Sequence, residues 1–164
     1  MTALLSAEQV QTARMFVFKT GRLLERQLFE YFFGSGVKAA CLKALEAYQN
    51  ADGGFGNALE PDIACPASSG IGAETALFVL DVLEEGGGEI AARVAGWAAA
   101  AQNVQGVIAH PPAGFERYPC QSWWQQPDPQ RVLSLAGMLK KWGLGEATFF
   151  ERARRAAAGL PVPA

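Results

Sequence analysis

The sequence predicts an all-α protein of about six helices, and three observations support that prediction. The chain contains 29 alanines, and alanine is the strongest helix former. Apolar residues recur at helical spacing in one segment after another, and no segment shows the alternation of a strand. The 18 glycines cluster between those segments, where we expect them to end one helix and open the next loop.

Composition excludes several classes of protein. With 164 residues, of which 50% are hydrophobic, the chain has the length and apolar content of a single packed domain. Its net charge of −2 argues against nucleic acid as a partner, because phosphate binding needs a positive surface. We find no signal-peptide pattern and no apolar run that could span a membrane. Three cysteines without paired spacing are typical of reduced thiols, so we expect a cytoplasmic protein.

Two helices are predicted in the first third of the chain. Ser6 and Gln9 have the spacing of a capping box, so a long helix should begin there and run to about Phe33. A glycine-rich segment follows and should end that helix. Apolar residues from Val37 onward keep helical spacing, and the second helix is expected to end near Asn50.

The remainder of the chain alternates two long loops with pairs of helices. The first loop covers residues 50–70, is rich in glycine and proline, and has a length typical of loops that are functional or packed as a motif. The second covers residues 103–129. The predicted helices cover residues 71–85, 89–102, 130–142 and 146–158.

A short repeat opens each long loop. Residues 47–53 and residues 100–106 share the pattern Ala-x-Gln-Asn-x-x-Gly. Each copy stands at the end of a predicted helix and before a loop. Because the match recurs at the same structural place, it indicates an internal helical repeat.

The segment Lys43–Gly56 resembles the QW-type repeat of terpenoid cyclases and protein prenyltransferases. In that repeat a basic and a small residue precede an aromatic region, which is followed by Gln and then by Gly-x-Trp or Gly-x-Phe. The resemblance covers residues 36–102 well and residues 103–158 more loosely. It implies an α/α toroid, in which inner and outer helices alternate around a central cavity. It also implies that Gln49 and the Gly53–Phe55 segment are structural staples.

The resemblance makes the length of the chain informative. A closed toroid has roughly twice as many helices as this sequence supplies. Either the chain is the N-terminal half of a longer toroid, or two copies complete the ring as a homodimer. A half ring leaves apolar helix flanks uncovered, so we expect self-association.

Acidic residues are the candidate catalytic groups. Glu74 and Asp81 share one stripe of the predicted helix 71–85 with Phe78. Glu60 and Asp62, on the preceding loop, are expected to approach the start of that helix, where the dipole favours a carboxylate. We therefore assign Asp62, Glu74 and Asp81 as candidate catalytic residues, with Glu60 and Phe78 as candidate substrate contacts.

A structural interpretation competes with the catalytic one. In it, Glu74 caps its own helix, Asp81 pairs with an arginine of the first helix, and Asp52 shapes the glycine turn. The aromatic residues of the second loop are open to the same two interpretations. Phe115, Trp123 and Trp124 could form a binding platform for a sugar or a prenyl chain, or they could pack beneath the loop.

Three functional classes remain open at this point. The first is a toroid protein that acts on or binds an isoprenoid-type apolar substrate, although the Asp-x-Asp-Asp and Asp-Asp-x-x-Asp motifs of the family's cyclases and synthases are absent. The second is a carbohydrate-active toroid, hydrolase or lyase, that uses loop carboxylates. The third is a non-catalytic binding or scaffold protein. No cofactor is predicted, and the minor alternative is zinc held by Asp62, Cys65, His110 or Cys120, whose spacing departs from the prenyltransferase pattern.

Overall fold

Helices form the regular structure of residues 5–159, the part of the chain that the computed structural model describes. This range contains seven α-helices, two short 3₁₀ turns and no strand, so the predicted all-α class is confirmed with one more helix than expected. The α-helices are α1 (Ala7–Thr20), α2 (Leu23–Phe33), α3 (Lys38–Glu46), α4 (Gly70–Val82), α5 (Glu89–Ala101), α6 (Arg131–Lys141) and α7 (Ala147–Ala158).

The additional helix arises because the long N-terminal helix predicted from the sequence is broken at Gly21. The predicted capping box of Ser6 and Gln9 is present and starts α1. Gly21 has extended backbone, and its N–H donates the last hydrogen bond of α1 to the Val17 carbonyl at 2.7 Å. A Cβ on residue 21 would lie 2.8 Å from that carbonyl oxygen, which explains why glycine stands at the break.

Helices α1 to α3 belong to one of two compact units, which ends at Ala47. Helix α2 contacts both α1 and α3. An ion pair between Arg14 and Glu30, with 2.5 Å between Nε and Oε1, joins α1 to α2. Helix α1 itself has no buried residue, so most of its surface is open to solvent.

The second unit begins at Tyr48 and contains α4 to α7. Helix α4 contacts α5 and α6, and α6 contacts α7. Glu74 pairs with Arg131 near the starts of α4 and α6, and Asp81 pairs with Lys141 near their ends. Because like ends are paired, α4 and α6 run parallel. The largest fully buried side chains of this unit are Phe55, Leu59, Leu77, Leu80, Leu83, Val94, Val132, Leu135, Leu139 and Phe149.

Two turns of the same form open the two long loops, as the repeat in the sequence predicts. In the first turn the Asn50 N–H donates to the Gly54 carbonyl, and in the second the Asn103 N–H donates to the Val107 carbonyl, both at 2.9 Å. In the first turn, Asp52 accepts from the Gly54 N–H at 2.9 Å. The predicted role of Asp52 in shaping the glycine turn is therefore confirmed.

The glutamine of each turn fastens that turn to a later helix, α5 or α7. The Gln49 Nε2 donates to a carbonyl of its own turn at 2.9 Å and to the Ile90 carbonyl of α5 at 3.4 Å. The Gln102 Nε2 donates to the equivalent carbonyl of the second turn at 3.2 Å and to the Phe149 carbonyl of α7 at 3.1 Å. The two glutamines thus make equivalent contacts in the two copies of the repeat.

The glycine that ends each repeat motif makes a second contact between its turn and the helix that the glutamine binds. Gly53 and Gly106 have φ values of 89° and 85°, in the left-handed region that favours glycine. A Cβ on Gly53 would lie 2.7 Å from the Arg93 carbonyl oxygen of α5. A Cβ on Gly106 would likewise collide with the Arg152 carbonyl oxygen of α7. Each turn therefore docks its backbone directly on a helix.

The other predicted helices are present with shifted ends. The largest shift is at the end of α3, which was expected near Asn50 and lies at Glu46, because the first repeated turn takes over there. Short stretches of the loops pair only as isolated bridges within residues 5–159. No helix of this range is long and apolar enough to cross a membrane.

Candidate functional site

The start of α4 fixes the position of Glu74. The Ser69 hydroxyl caps α4 by accepting from the Gly72 N–H at 3.1 Å, and the Ser69 N–H donates to the Phe55 carbonyl at 2.9 Å. Gly72 lies so close to the same carbonyl that a Cβ there would collide with it. Glu74 follows in α4 and is 7% exposed. Ser69 is therefore the residue that caps the helix, and the interpretation of Glu74 as its own cap is wrong.

Arg131, the first residue of α6, lies between two carboxylates. Its Nη1 donates to Glu74, and its Nη2 donates to Asp128 at 2.6 Å. The side chains of Glu74 and Arg131 are 9% and 16% exposed, so this ion pair is largely removed from water. Asp128 also accepts from the Gln130 N–H at 3.1 Å, which holds it beside the start of α6. One cation with two carboxylates leaves an excess of one negative charge.

Two aromatic rings complete the group, which we call the Arg131 cluster (Glu74, His110, Trp124, Asp128 and Arg131). The guanidinium carbon of Arg131 lies 5.4 Å from the centroid of the Trp124 ring. The His110 ring meets the Trp124 ring edge to face, with 5.8 Å between the centroids. His110 is only 8% exposed, whereas Trp124, Asp128 and Arg131 are half-buried, so the cluster extends from the interior to the surface.

Four buried nitrogens of the Arg131 cluster lack a hydrogen-bond partner within residues 5–159. They are both ring nitrogens of His110, the Trp124 Nε1 and the Arg131 Nε. An unpaired buried polar atom costs about 1–3 kcal/mol, so such atoms are usually satisfied. Elsewhere in the described range only the amide oxygens of Gln49 and Gln102 share this state. The concentration in one place marks the Arg131 cluster as the candidate site for a bound polar group.

Burial lowers the pKa of His110 below its ordinary value of 6.5, and the positive charge of Arg131 lowers it further. The Asp128 charge and the Trp124 backbone, which approaches the ring without the distance and angle of a hydrogen bond, act in the opposite direction without reversing the shift. At neutral pH the imidazole is therefore uncharged and offers one N–H donor and one acceptor nitrogen. With the N–H donors of Trp124 and Arg131, this set suits an uncharged hydroxyl or carbonyl group.

Contact between the two long loops carries Trp124 to this position. Residues 62–64 pair with residues 119–121 through two backbone hydrogen bonds, each of 2.9 Å. Phe115 and Trp124 pack against a small apolar cluster that these loops share with the start of α4. Its buried members are Ile63, Cys65 and Ile71. Trp124 therefore joins an apolar surface to the polar Arg131 cluster.

Of the predicted catalytic residues, Glu74 alone lies in the Arg131 cluster. Asp81 pairs with Lys141 at 2.5 Å, so the prediction that it pairs with an arginine of the first helix is wrong. Seven residues separate Asp81 from Glu74, which amounts to about 10 Å along the axis of α4. Asp62 takes part in the loop pairing through its carbonyl, and the Glu60 side chain accepts from the Asp62 N–H at 3.4 Å. The catalytic role of these carboxylates stays a prediction.

The predicted aromatic contacts divide into two groups. Phe115 and Trp124 pack beneath the second loop, as the structural interpretation supposed. Trp123 and Phe78 are instead 60% and 54% exposed. These two side chains are therefore accessible to a ligand, although they lie outside the Arg131 cluster.

The sequence reasoning missed Asp128 and Arg131, and it considered His110 only as a loop residue or a zinc ligand. One signal for the first two was available, because an acid three residues before an arginine at the start of a predicted helix has the spacing of an ion pair. No such signal connects His110 with Glu74. Their proximity results from the folding of the second long loop.

The zinc alternative gains no support from the geometry. No three histidine, cysteine or acidic side chains within residues 5–159 gather in a group that could hold a metal ion. Cys65 is buried and Cys120 is half-buried against the same apolar cluster. Burial raises the pKa of Cys120, and the neighbouring Cys65 raises it further.

Searches of protein-family models, of curated proteins and of solved structures found no match to this chain.

Proposed function

We propose that this protein is a toroid-type α/α-repeat protein that binds an isoprenoid-type ligand with an uncharged polar end and does not transform it. The observation that carries the proposal is the group of four unpaired buried nitrogens in the Arg131 cluster. Beside this group, Trp124 provides an aromatic surface that continues into the apolar loop cluster. A ligand with a hydroxyl group on an apolar chain matches both parts.

The repeat geometry supports the toroid part of the proposal. In a toroid, successive inner helices run parallel, and each is followed by an outer helix. Helices α4 and α6 run parallel, and the glutamines of the two repeated turns bind α5 and α7 in the same way. On this assignment α4 and α6 are inner helices, and the Arg131 cluster lies at their N-terminal ends.

The ion pairs favour binding over catalysis. Glu74 and Asp81 each have a cationic partner, and they lie near opposite ends of α4. Glycoside hydrolysis uses two carboxyl groups about 5–9.5 Å apart on either side of the reacting bond. The rise of about 10 Å between the two positions on α4 does not favour such a pair.

Charge favours an uncharged ligand end. Arg131 is balanced by Glu74 and Asp128, and His110 is neutral at pH 7 because its pKa is lowered. A diphosphate group would meet an excess of negative charge. A hydroxyl group would instead accept from the Arg131 or Trp124 nitrogen and donate to the His110 ring.

A neutral sugar is the second candidate, and the exposed Trp123 favours it. Sugar faces stack on accessible tryptophan rings, and Trp123 is 60% exposed. The same four nitrogens of the Arg131 cluster would bind sugar hydroxyls. The two candidates differ in whether the apolar or the polar part of the ligand supplies most of the affinity.

Tryptophan fluorescence titrations and calorimetry with farnesol, farnesyl diphosphate and maltotriose separate these candidates. We expect farnesol to bind more tightly than its diphosphate. Trp124→Phe keeps an aromatic ring but removes the pyrrole part of the indole together with Nε1, so it should weaken farnesol binding at least tenfold, the equivalent of one hydrogen bond or more. Trp142→Phe is the matched control outside the cluster and should leave the affinity unchanged.

Each other outcome overturns part of the proposal. Binding of maltotriose without farnesol would favour the sugar candidate. Binding of none of the three, or equal farnesol affinity in the Trp124→Phe variant and the wild type, would contradict the proposed ligand site, because buried water can also satisfy such nitrogens. Mass-spectrometric detection of a converted product would contradict the non-catalytic assignment.

A further inference from the structure

An apolar groove of about 540 Å³ lies between α6 and α7. Leu133 and Ala136 of α6 and Phe150 and Ala153 of α7 form its floor, and Lys140 and Arg154 form a cationic rim.

The two repeats are related by a fixed offset in their helices. The Ile90 and Phe149 carbonyls accept from the equivalent glutamines, and the Arg93 and Arg152 carbonyls meet the equivalent glycines. Both pairs are 59 residues apart (149 − 90 and 152 − 93). The same offset relates the inner helices, because it maps three buried residues of α4 onto all three buried residues of α6. These pairs are Ala73 with Val132, Ala76 with Leu135, and Leu80 with Leu139.

This offset maps most of the α6 side of the groove onto the surface of α4 that α6 covers, the exception being Gly137, whose equivalent is the exposed Phe78. Leu133 is equivalent to Glu74, and Lys140 is equivalent to Asp81. Glu74 and Asp81 are the residues of α4 that form ion pairs with α6. Glu74 is buried in the first repeat, whereas Leu133 is only half-buried in the second.

The α7 side of the groove gives the same result. Phe150, Ala153 and Arg154 are equivalent to residues 91, 94 and 95 of α5. All three of those residues are buried, whereas in α7 only Ala153 is buried, Phe150 is half-buried and Arg154 is exposed. Most of the groove is therefore the second copy of a surface that a helix covers in the first repeat.

The positive charge at the rim indicates which charged residue the covering helix should carry. In the first repeat α4 presents Asp81 and α6 supplies Lys141. In the groove the equivalent position is Lys140, so the covering helix should supply an acidic residue instead. It should also supply a large apolar side chain for the floor.

Helix α1 has both properties and is itself uncovered. Glu8, Thr12 and Phe16 lie on one stripe at i, i+4 and i+8. Phe16 is 66% exposed, and α1 has no buried residue. Phe16 and Glu8 thus complement the apolar floor and the cationic rim of the groove, and a second copy of the chain carries the same helix.

We propose that the groove between α6 and α7 receives helix α1 of a second copy of this chain, with Phe16 on the apolar floor and Glu8 at the cationic rim. In the resulting dimer, α1 of each copy lies in the groove of the other copy. The dimer therefore has two identical interfaces, and each joins α1 of one chain to the groove of the other chain. The proposal does not depend on the ligand assigned above.

Sedimentation velocity and light scattering of the full chain test the proposal. We expect a concentration-dependent dimer that Phe16→Ser and Ala136→Glu each weaken at least tenfold. Val104→Ser is the matched control, because Val104 is 82% exposed and lies on neither surface. Circular dichroism of each variant verifies that the helices remain folded.

Mixing the two variants gives the decisive measurement. Each variant damages both interfaces of its own dimer, whereas a mixed dimer of Phe16→Ser with Ala136→Glu contains one intact interface. The mixture should therefore dimerise more strongly than either variant alone. A chain that carries both Glu8→Lys and Lys140→Glu should likewise dimerise more strongly than a chain that carries only one of these two changes. A wild-type monomer at hundreds of micromolar, a dimer insensitive to both variants, or no recovery on mixing would overturn the proposal.

Discussion

Replacing Gly106 by alanine should destabilise the protein more than the same change at a glycine with equal backbone conformation and open surroundings. Gly106 has φ 85°, and a Cβ there would collide with the Arg152 carbonyl oxygen of α7. The left-handed conformation costs alanine about 1–2 kcal/mol. Displacing a packed helix backbone adds about 1–3 kcal/mol, by analogy with overpacked cores. The expected loss is about 2–5 kcal/mol.

Gly114 is the matched control for this prediction. Its φ is 80°, and a Cβ there would meet nothing within 4 Å, so Gly114→Ala should cost only the conformational part, about 1–2 kcal/mol. Urea unfolding followed by circular dichroism gives the free energy of unfolding of both variants. Gly53→Ala should behave like Gly106→Ala, because Gly53 meets the Arg93 carbonyl of α5 in the same way. Equal losses at Gly106 and Gly114 would refute the direct docking of the turn on α7.

Three further predictions concern single groups. Arg131→Met leaves Glu74 buried without its partner and should lower the free energy of unfolding by about 3–5 kcal/mol. Lys141→Met removes one partner of a largely exposed ion pair and should lower it by at most about 1 kcal/mol. Chemical denaturation measures both losses. Because the pKa of His110 is lowered in the folded state, its contribution to stability is complete above pH 6.5 and is lost as pH falls below it. His110→Phe should therefore lose less stability than the wild type between pH 7 and about 5. In the native protein a maleimide should label Cys120 before the two buried cysteines, and mass spectrometry after brief labelling identifies the site.

Much of the fold could be predicted because its determinants are local. The capping box of Ser6 and Gln9 and the glycines after each helix act over a few residues, so their effects follow from short patterns. The break at Gly21 was missed because the apolar spacing continues through it. The close approach of the Val17 carbonyl shows why glycine is needed at the position where the helix ends.

The repeated turns show which contacts a sequence motif can predict and which it cannot. Gln49 and Gln102 could be paired from the sequence, because the same motif surrounds both. Their partners could not, because the Ile90 and Phe149 carbonyls belong to the backbone of α5 and α7 and have no sequence signature. A backbone acceptor is identified only when the helices are placed.

The candidate site was only partly predictable for the same reason. Glu74 and Trp124 were predicted because an acid on an apolar helix and an aromatic pair in a loop are unusual in isolation. His110 and Arg131 are ordinary residues in the sequence. Their significance comes from the burial of nitrogens that no partner within residues 5–159 satisfies, which depends on the folded loops.

The comparison of the two repeats also determines how many ligand sites a dimer would have. The Arg131 cluster needs a carboxylate on the helix that packs beside α6, and Glu74 of α4 supplies it. The equivalent residue in the second repeat is Leu133, which cannot pair with a cation and instead lines the groove between α6 and α7. A helix that covers this groove therefore makes an apolar contact and does not create a second site of the same kind. Ligand binding should accordingly reach one molecule per chain in both the monomer and the dimer. A second equivalent site that appears on dimerisation would contradict the assignment of ligand binding to the Arg131 cluster and of the dimer contact to the groove.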